Sequence, residues 1–73
     1  MYYQIKLTLR HGQLAGHVAY LSKNYRSKYP GSRITNITKQ IKTFQSKAGA
    51  LRWIETNRAV VEPFYTDVEK RYV

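Results

Sequence analysis

The chain of 73 residues contains no cysteine, only two prolines and four glycines, and no aspartate or glutamate in its first 54 residues. The lack of cysteine excludes disulfide bonds, thiolate zinc sites and thiol nucleophiles, so stability must come from packing or self-association. No apolar run approaches the about 18 residues that a membrane-spanning helix needs, and the start of the chain has no signal-peptide block. We therefore expect a soluble, cytoplasmic protein with no membrane partner.

Positive charge dominates the sequence, with 13 Lys and Arg against four acids and a formal net charge of +9. The acids all lie after residue 54: Glu55, Glu62, Asp67 and Glu69. Because the cations before residue 55 have no acid within their own segment, solvent, salt or an anionic partner must screen their repulsion. The charge pattern favours a polyanionic partner, although an ordinary soluble surface is the alternative.

Residues suited to catalysis are scarce. His11 and His17 have no acid close in sequence to orient them, and their spacing matches no usual set of zinc ligands. The glycines are scattered and form no phosphate-binding loop. The sequence thus predicts no enzyme, no cofactor and no metal site.

Hydropathy patterns predict a single α+β domain over residues 1–73. Apolar and polar residues alternate over 3–9, which predicts a strand with one face buried. A turn at 11–13 and a β-prone run at 16–21 predict a hairpin. The polar stretch 21–32, which contains Pro-Gly, predicts a long loop.

The segment 33–45 supports two interpretations. Its apolar residues have the spacing of a helix: Ile34, Ile37, Ile41 and Phe44. Its isoleucines and threonines instead favour a strand, with a bulge near 36–38 that would change the facing of the side chains. We predict a third strand here.

A helix is predicted to follow Ser46, whose hydroxyl can accept a hydrogen bond from a free amide of the first turn. The helix should end near Asn57 and cover the sheet with an apolar side that includes Trp53 and Ile54. These two residues are expected to pack on the apolar side of the first strand, formed by Ile5, Leu7 and Leu9.

The tail over 59–73 is ambiguous. Val60 and Val61 suggest an edge strand, whereas Thr66 and Glu69 have the spacing of a capping box. We predict a short tail helix, so that the complete fold is a three-stranded antiparallel sheet packed against one α-helix, with a short C-terminal helix.

Tyrosines and cations alternate in the long loop, a combination that suits phosphates and unstacked bases but also occurs in ordinary solvated loops. We expect this loop to be mobile in the free protein because few apolar residues anchor it. The predicted nucleic-acid contacts are the cations of the loop and of the outward strand faces: Lys6, Arg10, Lys23, Arg26, Lys28, Arg33, Lys39 and Lys42.

One ordered set of residues runs from the third strand into the helix: Phe44, Ser46, Ala50, Trp53 and Ile54. An aromatic strand end, a hydroxyl N-cap, and an alanine followed by an aromatic-aliphatic pair resemble the AP2-like DNA-binding domain of phage and transposon integrases. The resemblance spans about residues 2–58. It implies a sheet that lies in the DNA major groove, with contacts from four outward cations: Lys6, Arg10, Lys39 and Lys42.

The sequence therefore predicts a small basic protein that binds nucleic acid, with DNA favoured over RNA. The alternative is a protein-interaction module of phage or mobile-element origin with no role on nucleic acid. Such a module would bind a host protein or pair with itself through an exposed sheet edge.

Overall fold

The alternating residues near the N-terminus form strand β1, Tyr2–Leu9, which is the central strand of the sheet in the computed structural model. The structure describes residues 1–72. Ile5 and Leu7 are fully buried on one side of β1, whereas Lys6 and Thr8 are half-buried on the other. The alternation thus marks an inner face that is covered, as predicted, and an outer face that is open except at Gln4, which is buried.

Strand β2, Val18–Leu21, pairs antiparallel with β1 and completes the predicted hairpin. The connecting loop requires positive φ at Gly12 and Gly16, +88° and +91°, where residues with a side chain are rarely found. The Gly16 N–H donates to Leu9 O at 2.9 Å and closes the loop.

The segment 33–45 forms two very short strands, β3 at Ile34–Thr35 and β4 at Thr43–Phe44. A 3-10 helix over Thr38–Gln40 separates them, so the prediction of one continuous strand was wrong. The Thr35 hydroxyl accepts a hydrogen bond from the Ile37 N–H at 3.0 Å, a local turn that competes with strand pairing. Strand β3 pairs with β2, and β4 pairs with β1.

Helix α1, Lys47–Thr56, begins and ends where the sequence predicts. The Ser46 hydroxyl accepts a hydrogen bond from the Gly49 N–H at 3.0 Å, as an N-cap does. Trp53 and Ile54 are half-buried and pack against a core cluster that includes Ile5 and Leu7, whereas Leu9 is only half-buried and lies outside that cluster.

A short helix α2, Arg58–Val61, follows α1 directly. Its Val61 is 5% exposed and completes the core below the sheet. The fully buried side chains of Ile5, Leu7 and Leu21 come from β1 and β2, and Ala50 from α1 allows the helix to approach them closely. The two helices therefore cover one face of the sheet and leave the other open.

The tail forms strand β5, Phe64–Arg71, and the predicted tail helix was wrong. Strand β5 pairs antiparallel with all of β1, from Tyr2 opposite Arg71 to Leu9 opposite Phe64. The capping-box pair could at best start a helix of a few residues, whereas pairing with the full length of the central strand satisfies the backbone of both strands.

The sheet therefore has five antiparallel strands rather than three, and the predicted α+β class is correct. Strand β5 occupies one edge of β1, while β2 and β4 share the other edge. Within residues 1–72 the second edge of β5 has no strand partner. Among these residues no helix is long and apolar enough to cross a membrane.

Candidate nucleic-acid interface

Three aromatic rings meet on the helix-covered side of the molecule. Tyr25, from the long loop, meets Trp53 of α1 edge to face, with ring centroids 5.1 Å apart. Phe44 of β4 approaches Trp53 from a second direction, with centroids 6.4 Å apart. A turn fixes Tyr25, because its N–H donates to Ser22 O at 3.1 Å. Tyr25 thus packs against the core, contrary to the expectation that few apolar contacts anchor the loop.

Two cations make cation-π contacts with the rings of Tyr25 and Phe44. Lys42 Nζ lies 5.4 Å from the ring centroid of Tyr25 and 5.2 Å from that of Phe44. The guanidinium carbon of Arg26 lies 5.5 Å from the Tyr25 centroid. Such cation-π contacts hold the charges near the aromatic surface while leaving polar groups open to an anion.

Two adjoining grooves open on either side of this cluster. They share a wall formed by four residues: Tyr25, Trp53, Thr56 and Asn57. The larger groove, of about 540 Å³, adds Arg26 and Arg33, and the smaller one, of about 310 Å³, adds Lys42 and Arg52. Among the described residues no aspartate or glutamate lines either groove. Each groove therefore combines aromatic surface with two uncompensated cations.

Arg33 is held in position by the loop that it closes. Its Nε donates to Ser27 O at 2.7 Å, and the side chain is half-buried. The Ser27 hydroxyl in turn accepts a hydrogen bond from the Tyr29 N–H at 3.1 Å. These bonds organise the loop around a guanidinium that still has other N–H groups to donate to an anion.

The electrostatic environment of Tyr25 reflects this setting. The indole N–H of Trp53 lowers the pKa of the Tyr25 hydroxyl, and the charges of Arg26 and Lys42 lower it further, against a smaller effect of burial. Trp53 Nε1 is buried and does not reach hydrogen-bonding geometry with Tyr25 or any other acceptor among residues 1–72, so its N–H acts on the Tyr25 hydroxyl as a nearby dipole. The cluster therefore favours negative charge at its centre. We call the six residues of this cluster the aromatic-basic surface: Tyr25, Arg26, Arg33, Lys42, Arg52 and Trp53.

The outer face of the sheet has a different charge balance. Lys6 on β1 lies directly opposite Asp67 on β5. Glu69 Oε1 accepts hydrogen bonds from Gln4 Nε2 at 3.0 Å and from the Tyr20 hydroxyl at 3.1 Å. The guanidinium of Arg71 forms an ion pair with the same carboxylate at 3.6 Å. Two acids thus offset two cations on this face.

The eight predicted contact residues do not form one patch. Arg26, Arg33 and Lys42 come together at the grooves. Lys6 lies on the outer sheet face, and Lys39 lies in the 3-10 helix between β3 and β4. The prediction that Lys39 and Lys42 extend the outward face beside Lys6 and Arg10 was therefore wrong, because the segment that carries them is not a continuous strand.

The three other predicted contacts are dispersed. Arg10 packs over the ring of Tyr65, 5.1 Å from its centroid, at the far end of β1. Lys28 Nζ lies 5.6 Å from the ring centroid of Tyr29, and neither residue is among those that line the two grooves. Lys23 is exposed at the start of the loop, where its N–H donates to Gln40 O at 2.8 Å.

Arg52 is the groove cation that was not among the predicted contacts. It lies three residues after Gly49 and four before Thr56, both of which line the same groove. Helical spacing therefore places Arg52 on the side of α1 that faces the groove. Glu55 lies three residues after Arg52 on the same helix, but among the described residues the two side chains form no ion pair.

Other parts of the described chain offer no comparable site. Residues 1–72 contain no cluster of three or more His, Asp or Glu side chains that could hold a metal ion. A groove of about 620 Å³ between α2 and β5 has mixed charge, since Glu62 lines it together with Arg10 and Arg58. No protein-family model, curated protein or solved structure matches this chain.

Proposed function

We propose that this protein binds nucleic acid through the aromatic-basic surface. The observation that carries the proposal is the pair of adjoining grooves, which are lined by four cations and the rings of Tyr25 and Trp53 and contain no acid. Cations attract the phosphate backbone, and aromatic rings or guanidinium planes provide stacking surface for bases. Among the described residues, the walls of both grooves contain no histidine or carboxylate.

The proposed interface differs from the one that the AP2-like resemblance implies. In that family the outer sheet face contacts DNA, but here Asp67 and Glu69 offset Lys6 and Arg71 on that face. Phosphates gain less from a balanced surface than from one without acids. The resemblance still supports DNA ahead of RNA as the ligand, and the composition supports a cytoplasmic role.

A second candidate function rests on the free edge of β5. This strand is eight residues long and pairs with β1 on one side only. Unpaired backbone groups along such an edge can accept a strand from another protein or from a second copy. The charged residues Asp67, Glu69, Lys70 and Arg71 on this strand oppose indiscriminate pairing. This alternative corresponds to a protein-interaction module without a nucleic-acid ligand.

Titration of labelled nucleic acid with the full chain at several salt concentrations tests the proposal. Four phosphate contacts predict a slope of about −3 to −4 for duplex DNA in a plot of log affinity against log salt. Lys42→Gln and Arg52→Gln should each reduce the slope by about one. The matched controls are Lys39→Gln, outside the grooves, and Lys6→Gln, on the outer face, and neither should change the slope.

Two results would contradict the proposal. The first is the absence of binding to any nucleic acid at about 50 mM salt, where electrostatic association is strong. The second is a decrease in the salt slope of Lys6→Gln that equals the decrease in Lys42→Gln. The outer sheet face would then contact phosphate as much as the aromatic-basic surface does. A shift of the chain to a dimer in sedimentation, together with the first result, would favour the β5 edge.

A further inference from the structure

Resting on the proposed function, we infer that the preferred ligand is single-stranded nucleic acid, with an unpaired base seated in a groove beside Tyr25 and Trp53. The inference concerns the same surface but specifies the form of the ligand. The shape of the surface, the aromatic groups within it and the polar groups of its wall support this form of the ligand.

The aromatic-basic surface contains two shallow, open grooves. Proteins that read duplex DNA insert a protruding helix or β-ribbon into the major groove. Here the helix residues Arg52 and Trp53 form a groove wall together with loop and strand residues. The groove volumes of about 540 and 310 Å³ lie within the range of about 300–1,000 Å³ that is typical of small-ligand sites. Either groove has room for a single unpaired base.

The groove walls provide what an unpaired base requires. Tyr25 and Trp53 line both grooves, Phe44 lines the smaller one, and the Arg26 guanidinium adjoins the larger one. Bases in a duplex are stacked on one another, so these surfaces are accessible only to bases that are unpaired. Stacking of a base on an aromatic side chain contributes about 1–3 kcal/mol, and it tolerates any base.

Two polar residues in the wall that the grooves share complete the site. Asn57 Nδ2 donates to Trp53 O at 3.0 Å, which orients the carboxamide and leaves its carbonyl oxygen as an acceptor. The Thr56 hydroxyl donates to Arg52 O at 3.0 Å and retains its own acceptor capacity. Both residues line both grooves, so an N–H donor of a base in either groove, such as the N3–H of thymine or uracil, has an acceptor within the wall.

The single tryptophan makes the inference directly measurable. Trp53 is the only tryptophan in the chain, so its emission reports on the groove wall alone. We would titrate the full chain with a thymine DNA oligonucleotide, a uracil RNA oligonucleotide and a blunt-ended DNA duplex with the same number of phosphates, all at one salt concentration. At least one single strand should bind about tenfold more tightly than the duplex and should quench Trp53 emission.

Matched variants separate stacking from charge. Tyr25→Leu keeps an apolar side chain but removes the ring, and it should weaken single-strand binding by about tenfold. Tyr29→Leu is the matched control, because Tyr29 also has a cation over its ring but lies outside the grooves and is 65% exposed. If Tyr25→Leu loses its fold by circular dichroism, Arg26→Gln provides the test, with Lys28→Gln as its control.

The outcomes distinguish this inference from the proposed function. Duplex binding that equals or exceeds single-strand binding overturns the inference and leaves the proposed function intact. Single-strand binding without any change in Trp53 emission overturns the placement of the base in the grooves. The absence of binding by all three probes overturns the proposed function and the inference together.

Discussion

Both sides of this sheet carry tyrosines and cations, but they differ in whether nearby acids offset the positive charge. On the helix side, Tyr25 lies among cations and an indole, and no acid within residues 1–72 lines the grooves around it. On the outer face, Tyr20 donates to Glu69, which also binds Gln4 and Arg71. A tyrosine surrounded by cations is therefore suited to an anionic ligand, whereas a tyrosine bound to a carboxylate belongs to an internal network.

The difference between the faces arises from the topology. The acids are separated from the early cations along the chain, but β5 returns to pair with the whole of β1. This pairing brings Asp67 opposite Lys6 and Glu69 opposite Gln4. The charge of a segment consequently does not predict the charge of a face, because strand pairing redistributes charges between distant parts of the sequence.

The largest loss of stability is expected for a substitution that disrupts the aromatic cluster on the helix side. Trp53→Ala removes a ring that contacts Tyr25 and Phe44 and packs on the core. We expect a loss of about 3 kcal/mol in the free energy of unfolding, the lower end of the range for a core aromatic, since Trp53 is only half-buried. Chemical denaturation followed by circular dichroism measures this loss. For so small a domain it is a large part of the total stability.

Trp53→Phe serves as the control for that measurement, since it keeps an aromatic ring in the cluster. It should retain most of the stability that Trp53→Ala loses. A Trp53→Ala variant that unfolds within a few tenths of a kcal/mol of the wild type would show that the aromatic cluster is a surface feature without a role in the core.

A smaller effect is expected for a change that breaks the network of the outer face. Glu69→Ala removes the acceptor for Gln4, whose side chain is 5% exposed, and for Tyr20. Leaving a buried donor unsatisfied costs about 1–3 kcal/mol, which denaturation would detect. Glu69→Gln retains an acceptor oxygen and should cost less. Equal stability of Glu69→Ala and the wild type would mean that the network does not hold this face together.

Much of the fold could be predicted from local patterns. The alternation in β1, the turn that contains Gly12 and the Ser46 cap each act within a few residues, and these predictions agree with the structure, whereas Gly16 lies in the loop and not at the start of β2. The tail could not be predicted in this way, because Thr66 and Glu69 have a helical capping pattern and the deciding interaction is with β1, more than 50 residues away. Non-local strand pairing outweighs a local capping signal of this size.

The candidate site was predictable in its residue types but not in its geometry. Arg26, Arg33 and Lys42 were among the predicted contacts, and the tyrosine-rich loop was identified as a source of stacking surface. Their convergence depends on the packing of Tyr25 onto Trp53, which no periodicity in the loop indicates. Lys42 lies over the rings rather than on the outer face because the segment after β3 turns away from a continuous strand.

The smallest expected effect is a difference in ionisation between Tyr25 and Tyr20. The Trp53 indole and the cations lower the pKa of Tyr25, whereas burial and the Glu69 carboxylate raise the pKa of Tyr20. In an absorbance titration of tyrosinate, Tyr25→Phe should therefore remove an early step of ionisation. Tyr20→Phe should remove a late step. The two steps should lie on opposite sides of the ordinary tyrosine pKa of about 10.

The same shifts have opposite effects on stability. The lowered pKa of Tyr25 stabilises the fold above the unfolded value of about 10, and this contribution disappears as the pH falls through the folded pKa. The raised pKa of Tyr20 stabilises the fold below about 10, and this contribution is lost as the pH rises through the folded pKa. Relative to the wild type, Tyr25→Phe should lose stability and Tyr20→Phe should gain it as the pH rises through this range. If both variants change in the same direction, the two faces do not differ in electrostatic character.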